Sequence, residues 1–343
     1  MRKLATIQEI SDIRPIEGAD AIELVLIKGW QCVAKKGEFQ KGDLCVYFEV
    51  DSYLPIDARY EFLQRSSYRN NEFMGEGFRI KTMTMRGELS QGLALPLSRF
   101  PEITPKPGGD VTDLLGVRKW EQPESVSNLG VDIGGKPFGI PTTDETRLQS
   151  MPEFIEAFKG RQYYITTKMD GTSCTIYCKD GKVGVCGRNS EYKEDAAASA
   201  MWAWVYKRGL KDRLLELGEN IAVQGEFCGM GIQKNRMKLP EPNLYVFDVV
   251  ILRDGGGGRK AGLAELRRYC ERLELEMAPV EETGDCFNFT LAELLEKARG
   301  KYSSGLDKEG IVVRTQEAEH NHAINHKMSF KVINNDFLKK EKD

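Results

Sequence analysis

A lysine amine becomes a nucleophile once it sheds its proton, and Lys168 stands where a fold would present one. The apolar and β-branched residues at 163–167 read as a strand. That strand delivers Lys168 and then stops at the tight turn Asp170-Gly171, which leaves the amine at a strand end facing a cleft. The string alone is weak, because Asp-Gly also closes ordinary hairpins. The chain holds its own control: Lys179-Asp180-Gly181 is nearly the same string and reads as a turn between strands 173–178 and 182–186. Five segments downstream of Lys168 separate the two. Gly187-Arg188-Asn189, Val223-Gln224-Gly225-Glu226-Phe227, Leu244-Tyr245-Val246-Phe247-Asp248, Glu309-Gly310-Ile311-Val312-Val313-Arg314 and Ser329-Phe330-Lys331-Val332-Ile333-Asn334 each set a charged or aromatic group at the edge of a short β-rich run.

In this order the segments resemble the nucleotidyltransferase motifs of ATP-dependent RNA ligases, in the superfamily that also holds DNA ligases and messenger-RNA capping enzymes. The resemblance covers most of residues 140–340. It implies that Lys168 attacks the α-phosphorus of ATP, with Asp170, Arg188, Glu226, Glu309 and Lys331 completing the catalytic set. It further implies nucleotide contacts from Arg147, Thr167, Gly171, Arg188, Phe247, Lys327 and Lys331, with Phe247 stacking on adenine. A free lysine has a pKa of about 10.4, so a nearby cation must favour the neutral amine. Mg2+ or Mn2+ would do this and spread charge on the phosphate, and Asp170, Glu226 and Glu309 are the carboxylates best placed to hold it. Lys331 would sit over the α-phosphate as a point charge.

Each residue also has a plainer reading. Glu226 can be a solvated strand-end charge, although Val223, Gly225 and Phe227 place it in a β context; Glu309 can cap a turn, although Ile311-Val312-Val313 makes it the entry to a buried strand. Phe247 is as readily core as platform, and Arg188 can be a surface charge. Related ligases often end this region with Lys-x-Lys, whereas here the second position is Ile333, and Lys327 is the lysine that could stand in. His320, His322 and His326 are the only histidines of the chain, but no nearby cysteine supplies a fourth zinc ligand.

The elements that must position these groups suggest an α+β chain of two domains. With 343 residues it exceeds one typical core. Short strands expected at 21–28, 30–35, 43–50, 78–85 and 92–97 suggest a small barrel or sandwich, with a helix or lid at 58–73. Segment 79–97, with Lys81, Arg86, Ser90 and Gln91, is similar to the amino-terminal OB-type domain of Naegleria- and Deinococcus-type RNA ligases. Residues 1–120 are therefore expected to form an OB-type nucleic-acid-binding barrel, with Trp30, Tyr47, Phe48 and Tyr53 divided between core and contact surface. Residues 121–343 are expected to hold a linker and an adenylyltransferase domain of antiparallel sheets flanked by helices. The Pro- and Gly-rich stretch 101–140 reads as linker with one helix near 111–120. Further helices are expected from 143, at 194–217 and at 261–276, and a hairpin loop at 254–258.

Composition narrows the setting. A net charge of −3 gives no global field for nucleic acid, so any such surface is a local patch. No apolar run approaches the ~20 residues of a membrane span, and the first residues lack a secretory pattern. Eight scattered cysteines without a Cys-x-x-Cys pair read as buried thiols of a reducing cytoplasm. The expectation is an intracellular, cytoplasmic monomer acting on RNA ends, with a nicked duplex as substrate, in RNA repair. Two alternatives stand beside it. A DNA ligase or capping guanylyltransferase usually carries its OB domain after the catalytic one, and too few residues follow Lys331 for that. A non-catalytic OB-type binding protein would not call for Lys168, Glu226, Glu309 and Lys331 together.

Overall fold

The structure is a computed structural model that describes residues 2–121 and 129–340. The chain divides into two compact units, residues 1–125 with 338–343 and residues 126–337. Residues 122–128 of the expected linker lie outside the described residues.

In the first unit, Leu44–Phe48 pairs antiparallel with Ala5–Glu9 on one side and Leu93–Pro96 on the other. Strands Asp12–Pro15, Ile22–Ile27 and Trp30–Lys35 form a meander. Along the central strand, Val46 and Phe48 enter one apolar cluster while Cys45 and Tyr47 enter another. Burial on both faces explains why its sequence alternates imperfectly. Trp30, Tyr47, Phe48 and Tyr53 are all buried, so none of the four is the contact surface expected of some of them. The large aromatics this unit exposes are Phe62 and Phe73. Ser90 and Gln91 also turn inward. The Ser90 hydroxyl accepts from the Val33 N–H at 3.0 Å, and the Gln91 carbonyl accepts from the Tyr47 hydroxyl at 2.8 Å.

Three expectations for this unit are corrected. The helix at 58–73 shrinks to the 3-10 turn Ala58–Leu63 and the single α-turn Gln64–Ser67, after which Tyr68–Asn71 makes a hairpin with Gly75–Arg79. The strand at 78–85 is two, Gly75–Arg79 and Thr82–Met85. The helix near 111–120 is absent. There Val111, Leu115 and Val117 fill the core, the Thr112 hydroxyl accepts from the Leu4 and Ala5 amides, and Arg118–Lys119 pairs with Ser52–Tyr53. These apolar side chains gain more from burial than from a short solvated helix.

The second unit has two principal sheets. The larger runs, in spatial order, Asp132–Gly135, Ser190–Tyr192, Lys182–Cys186, Thr172–Lys179, Ile221–Cys228, Asn243–Leu252 and Gly258–Lys260, with Glu276–Met277 joining Asn243–Leu252 in parallel. The smaller runs Val280–Gly284, Tyr163–Lys168, Gly310–Thr315 and Ser329–Ile333. Helices Ala200–Lys207, Leu210–Leu217 and Leu263–Arg272 cover one face of the larger sheet through Trp202, Val205, Leu214 and Leu266. Helices Phe154–Phe158 and Leu291–Lys297 cover one face of the smaller through Phe154, Phe158 and Leu294, packed on Ile165, Ile311 and Phe330. Truncating the wholly buried Phe330 to alanine would cost about 3–5 kcal/mol. The helix expected from 143 is not formed; the chain has no helical turn before the 3-10 turn Leu148–Ser150. Glu145 and Arg147 are drawn instead into contacts with the smaller sheet, and these tertiary contacts override local propensity.

Candidate active site

The turn after Lys168 carries the chain from the smaller sheet into the larger, because Tyr163–Lys168 belongs to one and Thr172–Lys179 to the other. Gly171 is required by that crossing: a Cβ there would lie 2.4 Å from the Phe227 carbonyl oxygen and 2.6 Å from the Cys228 sulfur. The control string behaves as expected, with Lys179-Asp180-Gly181 closing the hairpin to Lys182–Cys186. Its lysine is tied to Asp180 and Asp254.

Cross-strand register fixes which side chains share a face. Lys168 pairs with Gly310 and Gly310 with Ile333, while Thr166 pairs with Val312 and Val312 with Lys331. Lys168, Lys331 and Arg314 therefore lie on one face of the smaller sheet, and Ile165, Ile311, Val313 and Phe330 lie on the other, in the core. Thr167 falls on that second face, where its hydroxyl donates to Glu281 at 2.7 Å. Its side chain is thus turned away from Lys168, which leaves the backbone of Thr167 for the expected nucleotide contact. Glu309 enters the sheet just before Gly310. At Gly310, φ is 151° and a Cβ would sit 2.1 Å from the Val332 carbonyl oxygen, so only glycine fits.

The Lys168 ammonium donates to Glu309 Oε2 at 2.7 Å. Glu226 comes from the larger sheet, where Ser173 and Tyr245 flank it in register. Asp170 pairs with Arg236 at 3.0 Å. Burial alone would lower the Lys168 pKa, but Glu309, Glu226 and Asp170 outweigh it and hold the amine protonated. Burial pushes Glu226 up to about 7, aided by Glu309 and Asp170 and opposed by Lys168. Burial also brings Lys331 down to about 8, with Lys168 and Arg147 repelling it. Three carboxylates around one ammonium leave an excess of oxygen donors with negative charge, the chemistry a hard divalent cation accepts. Among the described residues, no group of three His, Cys, Asp or Glu side chains is already gathered closely enough to hold a metal ion, so Asp170, Glu226 and Glu309 would have to draw together around one.

Phe247 sits at a β-bulge. Gln224 pairs with Asp248 and Gly225 with Val246, which leaves Phe247 as the extra residue of its strand. Bulges beside active sites re-aim a side chain, and here the ring is half-buried with the Arg314 guanidinium 5.6 Å from its centroid. A second group of cations gathers around the segment Asp144–Arg147. Arg188 pairs with Asp144 at 2.7 Å, Lys327 with Glu145 at 3.0 Å and Arg314 with Glu145 at 3.3 Å, and the backbone of Arg147 forms a parallel β-bridge with that of Lys331. Burial would raise the Glu145 pKa, but Lys327, Arg314 and Lys260 draw it down to about 2. Burial lowers Lys327 despite Glu145.

Sequence reasoning did not single out Glu145, Arg236 or Lys260. Glu145 was hidden by its helical-looking run, and no local pattern around Arg236 marks it as a partner of Asp170. The three histidines do not converge, in keeping with the reading against a zinc site there: His326 meets the Thr146 hydroxyl at 3.0 Å and stacks edge-on against Phe154, while His320 and His322 pair with each other.

Residues 161–333 match the RNA ligase family, and residues 4–97 match an OB-fold domain. Among solved structures, Naegleria gruberi RNA ligase with pyrophosphate is 38% identical, with a TM-score of 0.86 over 100% of both chains. A lysine-to-alanine variant of that ligase with ATP and manganese is 37% identical, with a TM-score of 0.87 over 99% of both chains. A lysine-to-methionine variant with AMP and manganese gives 37% and 0.87 over 100% of both. No match was found among curated proteins.

Proposed function

The chain belongs to the RNA ligase family, and from that premise we propose that it seals RNA ends through a covalent Lys168–AMP intermediate. The observation that carries this reading is a lysine at the junction of two sheets, 2.7 Å from Glu309 and opposed by the cation Lys331 on the same face. Lys168 Nζ attacks the α-phosphorus of ATP. A P–N bond forms, the bond from the α-phosphorus to the bridging oxygen breaks, and pyrophosphate leaves. AMP then passes to a 5′-phosphate end, and a 3′-hydroxyl displaces it to make the phosphodiester. Positioning and charge neutralisation supply most of the rate in such transfers.

Roles follow from placement. Lys331, with its lowered pKa, faces the position where negative charge grows on the α-phosphate. Arg188 and Lys327 are held by Asp144 and Glu145 and can turn to the triphosphate, and Arg147, from the same segment, joins them there. Phe247 offers a ring to adenine, and Gly171 permits the close turn rather than a contact of its own. Bound by Asp170, Glu226 and Glu309, a magnesium or manganese ion would draw Glu309 from the amine, favour its neutral form and spread phosphate charge. The first unit, as an OB-type domain, would hold the RNA, with Lys81 and Arg86 among its contacts. A nicked duplex is the proposed substrate, a monomer the working form and RNA repair in the cytoplasm its setting. No helix among the described residues is long and apolar enough to cross a membrane.

The test is sealing of a nicked duplex whose RNA strands carry a 3′-hydroxyl and a 5′-phosphate. Joining that requires ATP and disappears in Lys168→Ala supports the proposal. Joining without ATP, or full joining by Lys168→Ala, contradicts it. Arginine at 168 should not rescue, because a guanidinium stays protonated.

A further inference from the structure

We propose that Tyr302 is a positioning residue for AMP transfer, its hydroxyl locking the end of the Lys168 strand to the entry of the Glu309 strand. The inference rests on Lys168 being the nucleophile. The ladder between Tyr163–Lys168 and Gly310–Thr315 ends at the pair Lys168–Gly310. Just beyond that pair, the Tyr302 hydroxyl donates to the Lys168 carbonyl oxygen at 2.7 Å and accepts from the Glu309 N–H at 3.0 Å. One hydroxyl carries one proton and two lone pairs, so both bonds coexist. The oxygen acts as an extra rung between the backbones of the two residues whose side chains form the 2.7 Å ion pair.

The ring that carries this hydroxyl is itself fixed. It is 8% exposed and packs with Met169, Cys228, Met237 and Ala278. Its own N–H donates to Leu306 O at 2.8 Å, and its carbonyl accepts from the Gly305 N–H at 2.9 Å. On the far side, the Asn334 N–H donates to the Glu309 carbonyl at 2.9 Å. Strand ends ordinarily fray, and a nucleophile at one needs such a tether. Both bonds of the hydroxyl are to backbone atoms, so its effect passes through the backbone.

Tyr302→Phe keeps the ring and removes only this oxygen. Two reactions of the full chain separate positioning from general damage. One is single-turnover AMP transfer from labelled ATP to the protein, and the other is sealing of a nicked duplex already carrying AMP on its 5′-phosphate, where Lys168 is not the nucleophile. Transfer at saturating ATP should fall about tenfold or more, with KM for ATP within about twofold, because misplacing a reacting group acts on the bond-making step. Sealing of the pre-adenylylated nick should stay within about threefold, and exchange of the Glu309 amide hydrogen should quicken about tenfold while Val313 does not change. Equal losses in both reactions, unchanged AMP transfer, or a protein that no longer folds would each overturn the inference. If the wild-type chain acquires no AMP on Lys168, the nucleophile reading itself fails, an outcome distinct from a normal wild type beside an unaffected Tyr302→Phe.

Discussion

Replacing Glu226 by glutamine should make the second unit more stable at pH 8 while abolishing most AMP transfer. The carboxylate is pushed from the usual 4.5 to about 7, first by burial and then by Glu309 and Asp170. At about 1.4 kcal/mol per pH unit, that rise corresponds to roughly 3 kcal/mol of folding free energy lost when the group is charged. Glu226 is only half-buried, so solvent screening brings the expected gain on removing the charge to about 1–2 kcal/mol. The sign is fixed by the direction of the shift. With a folded pKa above the unfolded one, the penalty is complete once pH is well above 7, shrinks as pH falls through 7, and is gone below about pH 4.5, where both states become protonated. The glutamine retains an oxygen to accept from the Gly171 N–H. The melting temperature of Glu226→Gln should therefore exceed that of the wild type by about 2–8 °C at pH 8, and the difference should close near pH 4.5. Thermal unfolding across that range is the assay. A gain that does not vary with pH, or a loss at pH 8, would refute the electrostatic origin of the Glu226 penalty.

Second-order AMP transfer should decline above about pH 8 as Lys331 loses its proton, and Lys331→Arg should move that limb upward; a limb unmoved by the substitution assigns it to another group. Phe247→Ala should raise KM for ATP about tenfold with little change in kcat, because stacking contributes about 1 kcal/mol or more to binding, and an unchanged KM would make Phe247 core alone. A chain beginning at residue 121 should still take up AMP but seal nicks poorly, and its residual RNA binding should depend less on salt. Sealing by that chain as fast as the whole protein would remove the proposed role of the first unit.

The strands that present the chemistry were legible because their signals are local. Apolar, β-branched runs stop at Lys168 and begin after Glu309, and both are strands at those positions. The bulge at Phe247 was not legible, since it arises from pairing with Gln224 and Gly225 about twenty residues away. Residues 143–149 carry a helix-like acidic start, yet Glu145 ends against Arg314 and Lys327, partners found only in three dimensions. Residues 101–121 look like linker by their Pro and Gly content, and the buried Ile103, Val111 and Leu115 were too sparse to give a period. The aromatics of the first unit misled for a related reason. On a strand buried on both faces, Tyr47 and Phe48 are both core, and the sequence offers no outward face to read.

The central claim is that Lys168 carries AMP. The full chain, incubated with ATP labelled at the α-phosphate and a divalent metal, would be digested and the labelled peptide mapped. The predicted result is one labelled lysine, Lys168, with pyrophosphate released in equal amount and no label in Lys168→Ala. Label on any other residue, or full labelling of Lys168→Ala, would contradict it.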